Sequence, residues 1–581
     1  MAPCFTPVRG LSHATRVLRT SANVYIGNSP LGCKAATSRK FSTMSRTYED
    51  ALRRLDSIQS NRAVTSLFSP PPPPPPPTLT PTPAPSSSSA KSTAQDLNAQ
   101  AIPEMLAWAQ RAGITQSDLA RLKCIHVAGT KGKGSVCAFL TAILTQPDAA
   151  RIAGKVGTYT SPHLISVRER IQLDGRPISR ALFAQYFFEV WDALTAAARA
   201  EAATSRSHQG GSEGLSEEEL EGPATKPFYF RFLTLVALRA FAGEGVRSAV
   251  VECGIGGEHD STNILPPEAV SAAVVSQLGV DHVGMLGDTL PRIAWHKAGV
   301  MKRGRKCFTR RLEAGDDAAE AMRVLRRRAQ EKGAVLVEIE DGEVEEWGGV
   351  RGAEEAGSLE GGFQKYNQAL ALRAASEHLR ILTGEPDTRP EDEKLADLGE
   401  RFADGLRAAR LRGRCETRED GDFTWLVDGA HTAESLEEVA KWFAGKREAL
   451  PDAKLVLLFN QQERDVAKLL GALLEGIRNA SEAPKEAGIG IFDYAVFTRN
   501  DLRRRTPDEP ERDLSVQRAA ADAMHRLCPH TRTAVVDNVA DAVEKVKAEQ
   551  HNGGGKVAVL ATGSLHLVGA LLRTLEPGAE L

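Results

Sequence analysis

The sequence predicts an α/β protein with parallel-rich sheets in two domains, and three observations support this fold class. Short apolar runs alternate with helical patterns along most of the chain. Each strand-like run ends at glycine or polar residues, as the strands of βαβ units do. A glycine-rich loop lies between the first such run and a helical one, which is the context of a phosphate-binding loop. The 581 residues are enough for two or three domains.

Composition excludes several classes of protein. The chain has 73 Lys plus Arg against 75 Asp plus Glu, so no net positive field attracts nucleic acid. No apolar run reaches the roughly 18 residues of a membrane helix, so we expect no integral membrane segment. The eight cysteines are scattered without a CxxC pair. This pattern favours a reducing compartment over a disulfide framework or a structural zinc site.

The N-terminal segment 1–43 has the composition of a mitochondrial transit peptide, being basic, rich in Ser and Thr, and free of acidic residues. A disordered tail is the alternative. Met44 opens the run "MSRTYEDALRRL", whose apolar residues recur at helical spacing, so a folded unit is expected to begin there. Initiation at Met44 would give a second product without the leader. We therefore predict a mitochondrial form, in the matrix or associated with the inner membrane, and a cytoplasmic form.

Three insertions interrupt the α/β pattern. The first, at about 69–94, contains eight consecutive prolines and should form a polyproline II spacer, with an SH3 or WW ligand as the alternative. Two polar insertions, at about 201–223 and 341–362, are predicted to be surface loops. Between these insertions the chain divides into an N-terminal domain, 44–411, and a smaller C-terminal domain, 412–581.

Seven apolar runs are the main strand candidates. The N-terminal domain contains "CIHVAG", "RSAVVECG" and "SAAVVSQLG", and the helical run "SVCAFLTAIL" follows the first of them. The C-terminal domain contains "TWLVDG", "KLVLLF", "YAVFT" and "KVAVLATG", separated by helical stretches. Strands that alternate with helices in this way predict a parallel sheet in each domain.

The glycine-rich loop has the features of a phosphate site. It consists of Gly129, Thr130, Lys131, Gly132, Lys133, Gly134 and Ser135. Its glycines allow backbone N–H groups to approach phosphate oxygens, and the following helix adds its dipole. Lys133 can reach the β and γ oxygens, and Ser135 can face a metal–phosphate group. The strict Walker pattern is not met, because Val127 stands at the first glycine position and Gly134 at the Ser/Thr position.

Polar residues follow two further strands. Glu252 ends one apolar run, and Asp281 and His282 follow the next one. Since ligands of open parallel sheets lie beyond the carboxyl ends of the strands, these residues and the phosphate loop should meet at one edge. A carboxylate suits Mg²⁺, whereas a neutral imidazole is a less typical ligand for this ion. Considered alone, His282 is better explained as a hydrogen-bonded loop histidine.

Lys297 lies on the apolar face of a predicted helix. Asp288 or Thr289 can cap this helix, and Leu290 and Ile293 share the face of Lys297 at spacings of three and four. One interpretation is a lysine whose stem covers apolar surface while its ammonium reaches solvent. The other is a buried lysine beside the metal site, where a positive charge would repel Mg²⁺ unless the amine became an anion. The residues alone favour the first interpretation.

Several motifs together resemble the folylpolyglutamate synthase family of the Mur ligase superfamily. They are "AGTKGKGS", "TSPHL" (160–164), "ECGIGGEHDSTN", "GVDHVGMLGDTLPRIAWHKAG", "LVDGAHT" and "ATGSLHLVG". The motifs occur in the family's order from about residue 48 to 570. The resemblance implies a Mur-ligase-like P-loop domain joined to a smaller Rossmann-like C-terminal α/β domain, with folate and L-glutamate as substrates and a monomeric state.

The resemblance also assigns roles to individual residues. It implies that the phosphate loop binds ATP together with Arg414, Asp428 and His431, and that Ser161, Glu252 and His282 bind Mg²⁺. It implies catalytic roles for Lys133, Lys297 and His282, with Lys297 carbamylated, and a K⁺ ion as a further cofactor. Substrate contacts are implied for Thr158, Ser161, His163, Leu164, Arg464, Asp465, Ser564 and His566.

The activity implied is an ATP-dependent ligation. The γ-carboxylate of a folate would be phosphorylated by ATP, and the amine of L-glutamate would attack the resulting acyl phosphate. Dihydrofolate synthase, which uses dihydropteroate as its acceptor, is the nearest alternative. A protein that binds nucleotide and folate without turnover is a second alternative, from a different functional class.

Overall fold

The computed structural model describes most of the chain from Arg46 onward. The described residues are 46–59, 94–208, 215–312, 315–352, 358–386, 393–462, 465–480, 491–551 and 555–578. The predicted leader at 1–43, the polyproline run and Arg464 lie outside the described residues, so what was expected of them remains a prediction. No helix within the described ranges is long and apolar enough to cross a lipid bilayer.

The first sheet has eight strands and is mainly parallel. Its strands are β1 (Lys123–Ala128), β2 (Val156–Tyr159), β3 (Ile171–Leu173), β4 (Arg176–Pro177), β5 (Ser248–Glu252), β6 (Val270–Val275), β7 (Lys306–Arg310) and β8 (Val335–Ile339). Their order is β4-β3-β2-β5-β1-β6-β7-β8, and only β3 and β4 pair antiparallel with their neighbours. The three strands that carry the predicted site, β5, β1 and β6, are therefore adjacent.

The second sheet has six strands. They are β9 (Glu416–Asp420), β10 (Phe423–Val427), β11 (Lys454–Phe459), β12 (Tyr494–Phe497), β13 (Arg532–Val535) and β14 (Val557–Thr562). Their order is β13-β12-β11-β14-β10-β9. Only β9 runs antiparallel, and it forms a hairpin with β10. The turn of this hairpin contains Gly421 at a positive φ of 61°, a conformation that glycine adopts without strain.

Helices and short 3₁₀ turns connect the strands. The α-helices are α1 (Tyr48–Gln59), α2 (Ala94–Arg111), α3 (Gln116–Arg121), α4 (Lys133–Leu144), α5 (Pro147–Ala153), α6 (Arg180–His208), α7 (Glu217–Glu221), α8 (Tyr229–Gly243), α9 (Val283–Leu286), α10 (Leu290–Lys297), α11 (Asp316–Lys332), α12 (Asp341–Trp347), α13 (Gln364–Thr383), α14 (Leu395–Arg401), α15 (Ala403–Ala408), α16 (Ala433–Glu448), α17 (Val466–Ala480), α18 (Ser515–Leu527), α19 (Val539–His551) and α20 (Leu565–Leu575). The 3₁₀ turns are Val167–Arg170, Pro223–Thr225, Ser261–Ile264 and Ala298–Val300.

Both sheets are covered by helices on both faces. In β1, Ile125 and Val127 lie in an apolar cluster with α4 and α13, whereas Cys124 lies in a cluster with α1, α2, α6 and α8. Alternate side chains of a strand point to opposite faces, so β1 supplies both layers of the core. The second sheet is likewise covered by α16, α17 and α18 on one face and by α19 and α20 on the other. The predicted α/β class with parallel-rich sheets is confirmed.

All seven predicted strand runs form strands, namely β1, β5, β6, β10, β11, β12 and β14. The helix predicted after Met44 is α1, whose residues Ala51, Leu55 and Ile58 are buried. The helix predicted to present Lys297 is α10, which begins after Thr289. The boundary at residue 411 remains a prediction, although it falls between the two sheets in the sequence.

The two polar insertions are more helical than their composition suggests. Helix α6 continues to His208 and α7 follows at Glu217, so much of the segment 201–223 is helical. Its Ala, Glu and Arg residues have high helix propensity, which explains this difference. Helix α12 occupies the start of the segment 341–362, where acidic residues in the first turn favour a helix N-terminus.

The loop after β2 contacts helix α20 closely. A Cβ atom added to Gly569 of α20 would lie 2.2 Å from the carbonyl oxygen of Leu164. A Cβ atom on Gly413 would lie 3.2 Å from a methyl group of the same leucine, and Leu164 also packs against the apolar cluster that contains Val568. The loop after β2, in the first sheet, therefore packs against Gly413, which precedes β9 of the second sheet, and against Gly569, which follows β14.

We expect Gly569→Ala to destabilise the protein by about 1–3 kcal/mol, because the new methyl group would overlap a backbone oxygen that can move only with its loop. Gly471→Ala is the matched control, since Gly471 is also inside a helix but a Cβ atom added there would meet no atom within 4 Å. The control should be stabilised by about 0.5–1 kcal/mol through helix propensity. Urea unfolding of both variants measures the difference, and equal midpoints would contradict the prediction.

Candidate functional site

A large cavity lies at the carboxyl ends of β5, β1 and β6. Its volume is about 1910 Å³. It is lined by the phosphate loop from Thr130 to Ser135, by Ser161 and Glu252, and by Asp281 and His282. The register explains this convergence, because Val127 pairs with Glu252 on one side of β1 and Ala128 pairs with Val275 on the other. The three segments predicted to share one edge therefore line one cavity.

Two glycines of the phosphate loop allow it to approach its neighbours. Gly129 and Gly132 have positive φ values of 148° and 82°. A Cβ on Gly129 would lie 1.9 Å from Ser276 Oγ, and one on Gly132 would lie 2.2 Å from Asn367 Oδ1. Any side chain at these positions would displace the loop from β6 or from helix α13.

The first part of the loop is held by the segment after β6. The amides of Thr130 and Lys131 both donate to the carbonyl of Gln277, at 2.9 and 3.1 Å. Ser276 Oγ donates to the carbonyl of Lys131 at 2.7 Å. These two amides are therefore occupied, whereas the first-turn amides of α4, which begins at Lys133, have no partner inside the helix. The helix N-terminus is thus the part of the loop that can bind an anion.

Lys133 and Glu252 bring opposite charges to the cavity. Glu252 is 3% exposed, and its Oε2 accepts a hydrogen bond from the amide of Ser161 at 3.0 Å. Burial raises the pKa of the Glu252 carboxyl, although the positive charge of Lys133 acts in the opposite direction. A buried carboxylate with one backbone donor has oxygen lone pairs left for a cation.

Asp281 and His282 lie in a strained turn at the cavity rim. His282 has a positive φ of 50°, and its amide donates to Asp281 Oδ1 at 2.9 Å. Its Nε2 atom is 3.9 Å from Asp281 Oδ2, and about half of its side chain is exposed. Among the described residues, no three His, Cys, Asp or Glu side chains form a metal site by themselves. Coordination of Mg²⁺ by Glu252, Ser161 and His282 remains a prediction.

Lys297 is buried and contacts the phosphate loop. It is 2% exposed, and its Nζ donates to the carbonyl of Gly129 at 2.6 Å. Burial lowers the pKa of Lys297 to about 7, with the charge of Lys133 as the next largest cause. The solvent-reaching interpretation of this side chain is therefore wrong, because its amine is enclosed below the phosphate loop.

Three predicted residues of the second half line the same cavity. They are Arg414, Asp428 and His431. The Asp428 carboxylate accepts hydrogen bonds from the amides of Cys415 and Ala430, at 2.7 and 2.8 Å. Burial raises the pKa of Asp428, and the charge of Arg414 opposes this effect. Asp428 therefore holds the backbone next to Arg414 as well as facing the cavity.

The predicted substrate residues are spread more widely. Thr158 is buried beneath α4, where its hydroxyl is 2.6 Å from that of Thr141, and it does not line the cavity. Asp465 is exposed and caps helix α17 through the amides of Ala467 and Lys468. The roles of Thr158 and Asp465 in substrate binding remain predictions.

Ser564 caps helix α20 by accepting from the amide of Leu567. His566 is exposed. Burial lowers the pKa of His163 to about 4, and the charges of Arg170 and His566 act in the same direction. Of the predicted substrate residues, Ser161 and Leu164 line the cavity itself.

The polar residues of the cavity wall that sequence reasoning missed include Gln364, Asn367 and Arg170. Gln364 and Asn367 lie in the first turn of α13 and face the phosphate loop, with Gln364 Nε2 3.5 Å from Ser135 Oγ. Arg170 follows the loop that carries Ser161. Gln364 and Asn367 directly follow the segment interpreted as an insertion. Their spacing of three residues after two glycines is the signal that could have identified them.

Comparisons with known proteins show extensive similarity, although no protein-family model matches the chain. Folylpolyglutamate synthase of Neurospora crassa is 36% identical over 564 residues, covering 94% of each chain. Folylpolyglutamate synthase of Saccharomyces cerevisiae is 34% identical over 539 residues, covering 91% of this chain and 86% of the yeast one.

Solved structures give a consistent result. Mycobacterium tuberculosis folylpolyglutamate synthase, complexed with ADP and AMPPCP, is 25% identical with a TM-score of 0.58, covering 84% of this chain and 98% of that one. The Thermotoga maritima protein, at 20% identity and a TM-score of 0.55, shares the fold over 82% of this chain and 94% of its own.

We expect Lys297→Met to remove an increase in the free energy of unfolding that the wild type shows as the pH rises above 7. The pKa of Lys297 is about 7 in the folded protein and 10.5 in the reference state, so the unfolded chain binds more protons between these values. The wild type should therefore gain stability as pH rises from 7 to 10, by on the order of a few kcal/mol. The variant lacks this gain.

Urea unfolding at pH 7 and pH 9.5, in buffer free of carbon dioxide to keep the amine unmodified, measures this difference. Lys468→Met, which removes an exposed lysine, is the control and should follow the wild type. The difference in unfolding free energy between the wild type and Lys297→Met should change between pH 7 and pH 9.5. A constant difference would contradict a buried amine at this position.

Proposed function

This chain belongs to the folylpolyglutamate synthase family, and we propose that its cavity joins L-glutamate to the γ-carboxylate of a folate with hydrolysis of ATP to ADP. The observation that carries the proposal is the convergence of a phosphate loop, a buried carboxylate and residues of both sheets on one cavity. Each of these features matches a requirement of the reaction.

The reaction must activate a poor electrophile. In this mechanism the folate γ-carboxylate attacks the γ-phosphate of ATP, giving an acyl phosphate and ADP. The amine of glutamate then attacks the activated carbonyl, and the tetrahedral intermediate releases phosphate and forms the amide. Repetition lengthens the γ-linked chain by one glutamate in each cycle.

The chain's own residues stabilise the charge of the transferred phosphoryl group. The free amides at the start of α4 would bind phosphate oxygens, and Lys133 would neutralise the charge that develops during transfer. Gln277 and Ser276 hold the loop in place before the substrate binds, so little reorganisation is needed. Preorganised donors of this kind contribute most to phosphoryl transfer.

The residues at the cavity also fit a divalent cation. Glu252, Ser161 and His282 would hold Mg²⁺, which supplies further neutralisation of the phosphate groups when it is bound. The fit rests on the buried Glu252 carboxylate, whose pKa is raised by burial and which would be stabilised by a cation. The K⁺ ion implied by the resemblance has no residue assigned to it.

Modification of Lys297 is part of the proposal. An amine with a pKa of about 7 is roughly half uncharged near neutral pH, and only the uncharged amine can react with carbon dioxide. The resulting carbamate would be an anion, which would remove the repulsion between this side chain and Lys133.

Water must be kept from the acyl phosphate. Arg414, Asp428 and His431 line the cavity from the side of the second sheet, where they would contact the nucleotide and cover it. Closure of the two halves over the intermediate would prevent its hydrolysis. Dihydrofolate synthase activity remains the alternative reaction, and the names of the relatives favour glutamate addition to folates.

Incubation of the purified protein with ATP, Mg²⁺, tetrahydrofolate and L-glutamate should give products extended by one or more glutamate residues. Mass spectrometry of the folates detects them. ADP release should require both tetrahydrofolate and glutamate, which distinguishes a ligase from a binding protein. Extension of dihydropteroate but not of tetrahydrofolate would contradict the proposal in favour of dihydrofolate synthase.

Lys133→Ala should lower kcat by on the order of 10³-fold or more, because one cation that stabilises the transition state is lost. Lys468→Ala, at an exposed position on α17, is the matched control and should retain wild-type kcat. Coupled measurement of ADP release tests both variants. Near-normal kcat in Lys133→Ala would refute the role assigned to this lysine.

A further inference from the structure

Arg170 is a buried cation that opens onto the cavity. Its residue exposure is 8%, and that exposed part lines the cavity wall. Its Nε atom donates to Nδ1 of His163 at 2.9 Å, and its guanidinium carbon is 5.4 Å from the ring centroid of Tyr229. Within the part of the chain that the structure describes, the two terminal nitrogens have no hydrogen-bond partner. Four N–H groups in a fixed orientation are therefore available to a ligand.

The orientation of Arg170 is set from several directions. Its carbonyl accepts from the amide of Thr160, which precedes Ser161, and it ends a 3₁₀ turn capped by Ser166 and Glu169. Nδ1 of His163 accepts the hydrogen bond from Nε of Arg170, so His163 is a positioning residue for the guanidinium.

The surroundings of Arg170 define the ligand. On one side the cavity wall consists of the aromatic residues Phe228, Tyr229 and Phe230. Glu252 lines the same cavity; burial raises its pKa, and the positive charges of Lys133, Arg414 and Arg170 act in the opposite direction. A ligand here has an aromatic part against the wall and an anionic part between that wall and the phosphate loop. A planar guanidinium with both terminal nitrogens free matches a carboxylate through two parallel hydrogen bonds.

We propose that Arg170 binds the α-carboxylate of the terminal glutamate of the acceptor, and so selects acceptors that already end in glutamate. This inference rests on the proposed function. The γ-carboxylate is an unsuitable partner, because it must remain nucleophilic and loses its charge when the acyl phosphate forms. The α-carboxylate keeps its charge throughout the cycle. Dihydropteroate has only the reacting carboxylate, so it cannot use this contact.

The test compares two acceptors on each enzyme. One is tetrahydrofolate, and the other is its analogue with an α-carboxamide and an intact γ-carboxylate. The ratio of their kcat/KM values is independent of the fraction of enzyme that is folded, because both values come from the same preparation. Wild type should prefer the carboxylate by about 10- to 100-fold, the range for a hydrogen-bonded charged group.

Arg170→Gln should lose this preference, giving a ratio near 1, through a lower kcat/KM for tetrahydrofolate. Arg170→Lys should keep part of it, because an ammonium retains the charge without the planar pair of donors. Arg151→Gln, which removes an exposed arginine outside the cavity, is the matched control and should keep the wild-type ratio.

Three results would overturn the inference while leaving the proposed function intact. They are a ratio near 1 in the wild type, a wild-type ratio in Arg170→Gln with an unchanged KM for L-glutamate, and a wild-type ratio in Arg170→Gln with a raised KM for L-glutamate. The last result would assign Arg170 to the incoming amino acid. Failure of the wild type to extend either acceptor would instead contradict the proposed function.

Discussion

The register of three adjacent parallel strands is the constraint on which the site depends. Because β5, β1 and β6 end together, Glu252, the phosphate loop and Gln277 are side by side before any ligand binds. The carbonyl of Gln277 holds two loop amides, and Lys297 holds the carbonyl of Gly129. These contacts leave the start of α4 facing the cavity. Shifting any one of the three strands by a residue would separate the groups that phosphoryl transfer requires.

The same arrangement places charges where water is scarce. Burial raises the pKa of Glu252 and of Asp428 and lowers that of Lys297, so each is less stable in its charged form than it would be in water. Such groups gain most from a ligand that supplies the missing counter-charges. The cavity is therefore electrostatically incomplete without its ligands, and this incompleteness favours binding over stability of the free protein.

Sequence patterns predicted the strands and the shared edge because each depends on short, local signals. The apolar runs identified β1, β5 and β6, and the position of a residue at a strand end identified Glu252. Other outcomes depend on which way a side chain points, which no local pattern contains. Thr158 lies beneath α4 instead of in the cavity, Asp465 serves as a helix cap, and Arg170 lines the cavity wall from the end of a 3₁₀ turn.

The contact of Leu164 with Gly569 has a thermodynamic consequence. The loop that carries Leu164 also carries Ser161, whose amide is bound by Glu252 at the other end of the same short segment. Occupancy of the cavity and docking of α20 are thus two equilibria with a shared element, and coupling between them must be reciprocal. The factor by which docking of α20 changes the affinity for a ligand in the cavity equals the factor by which that ligand changes the docking equilibrium, so residues far from the cavity in the sequence can contribute to ligand affinity.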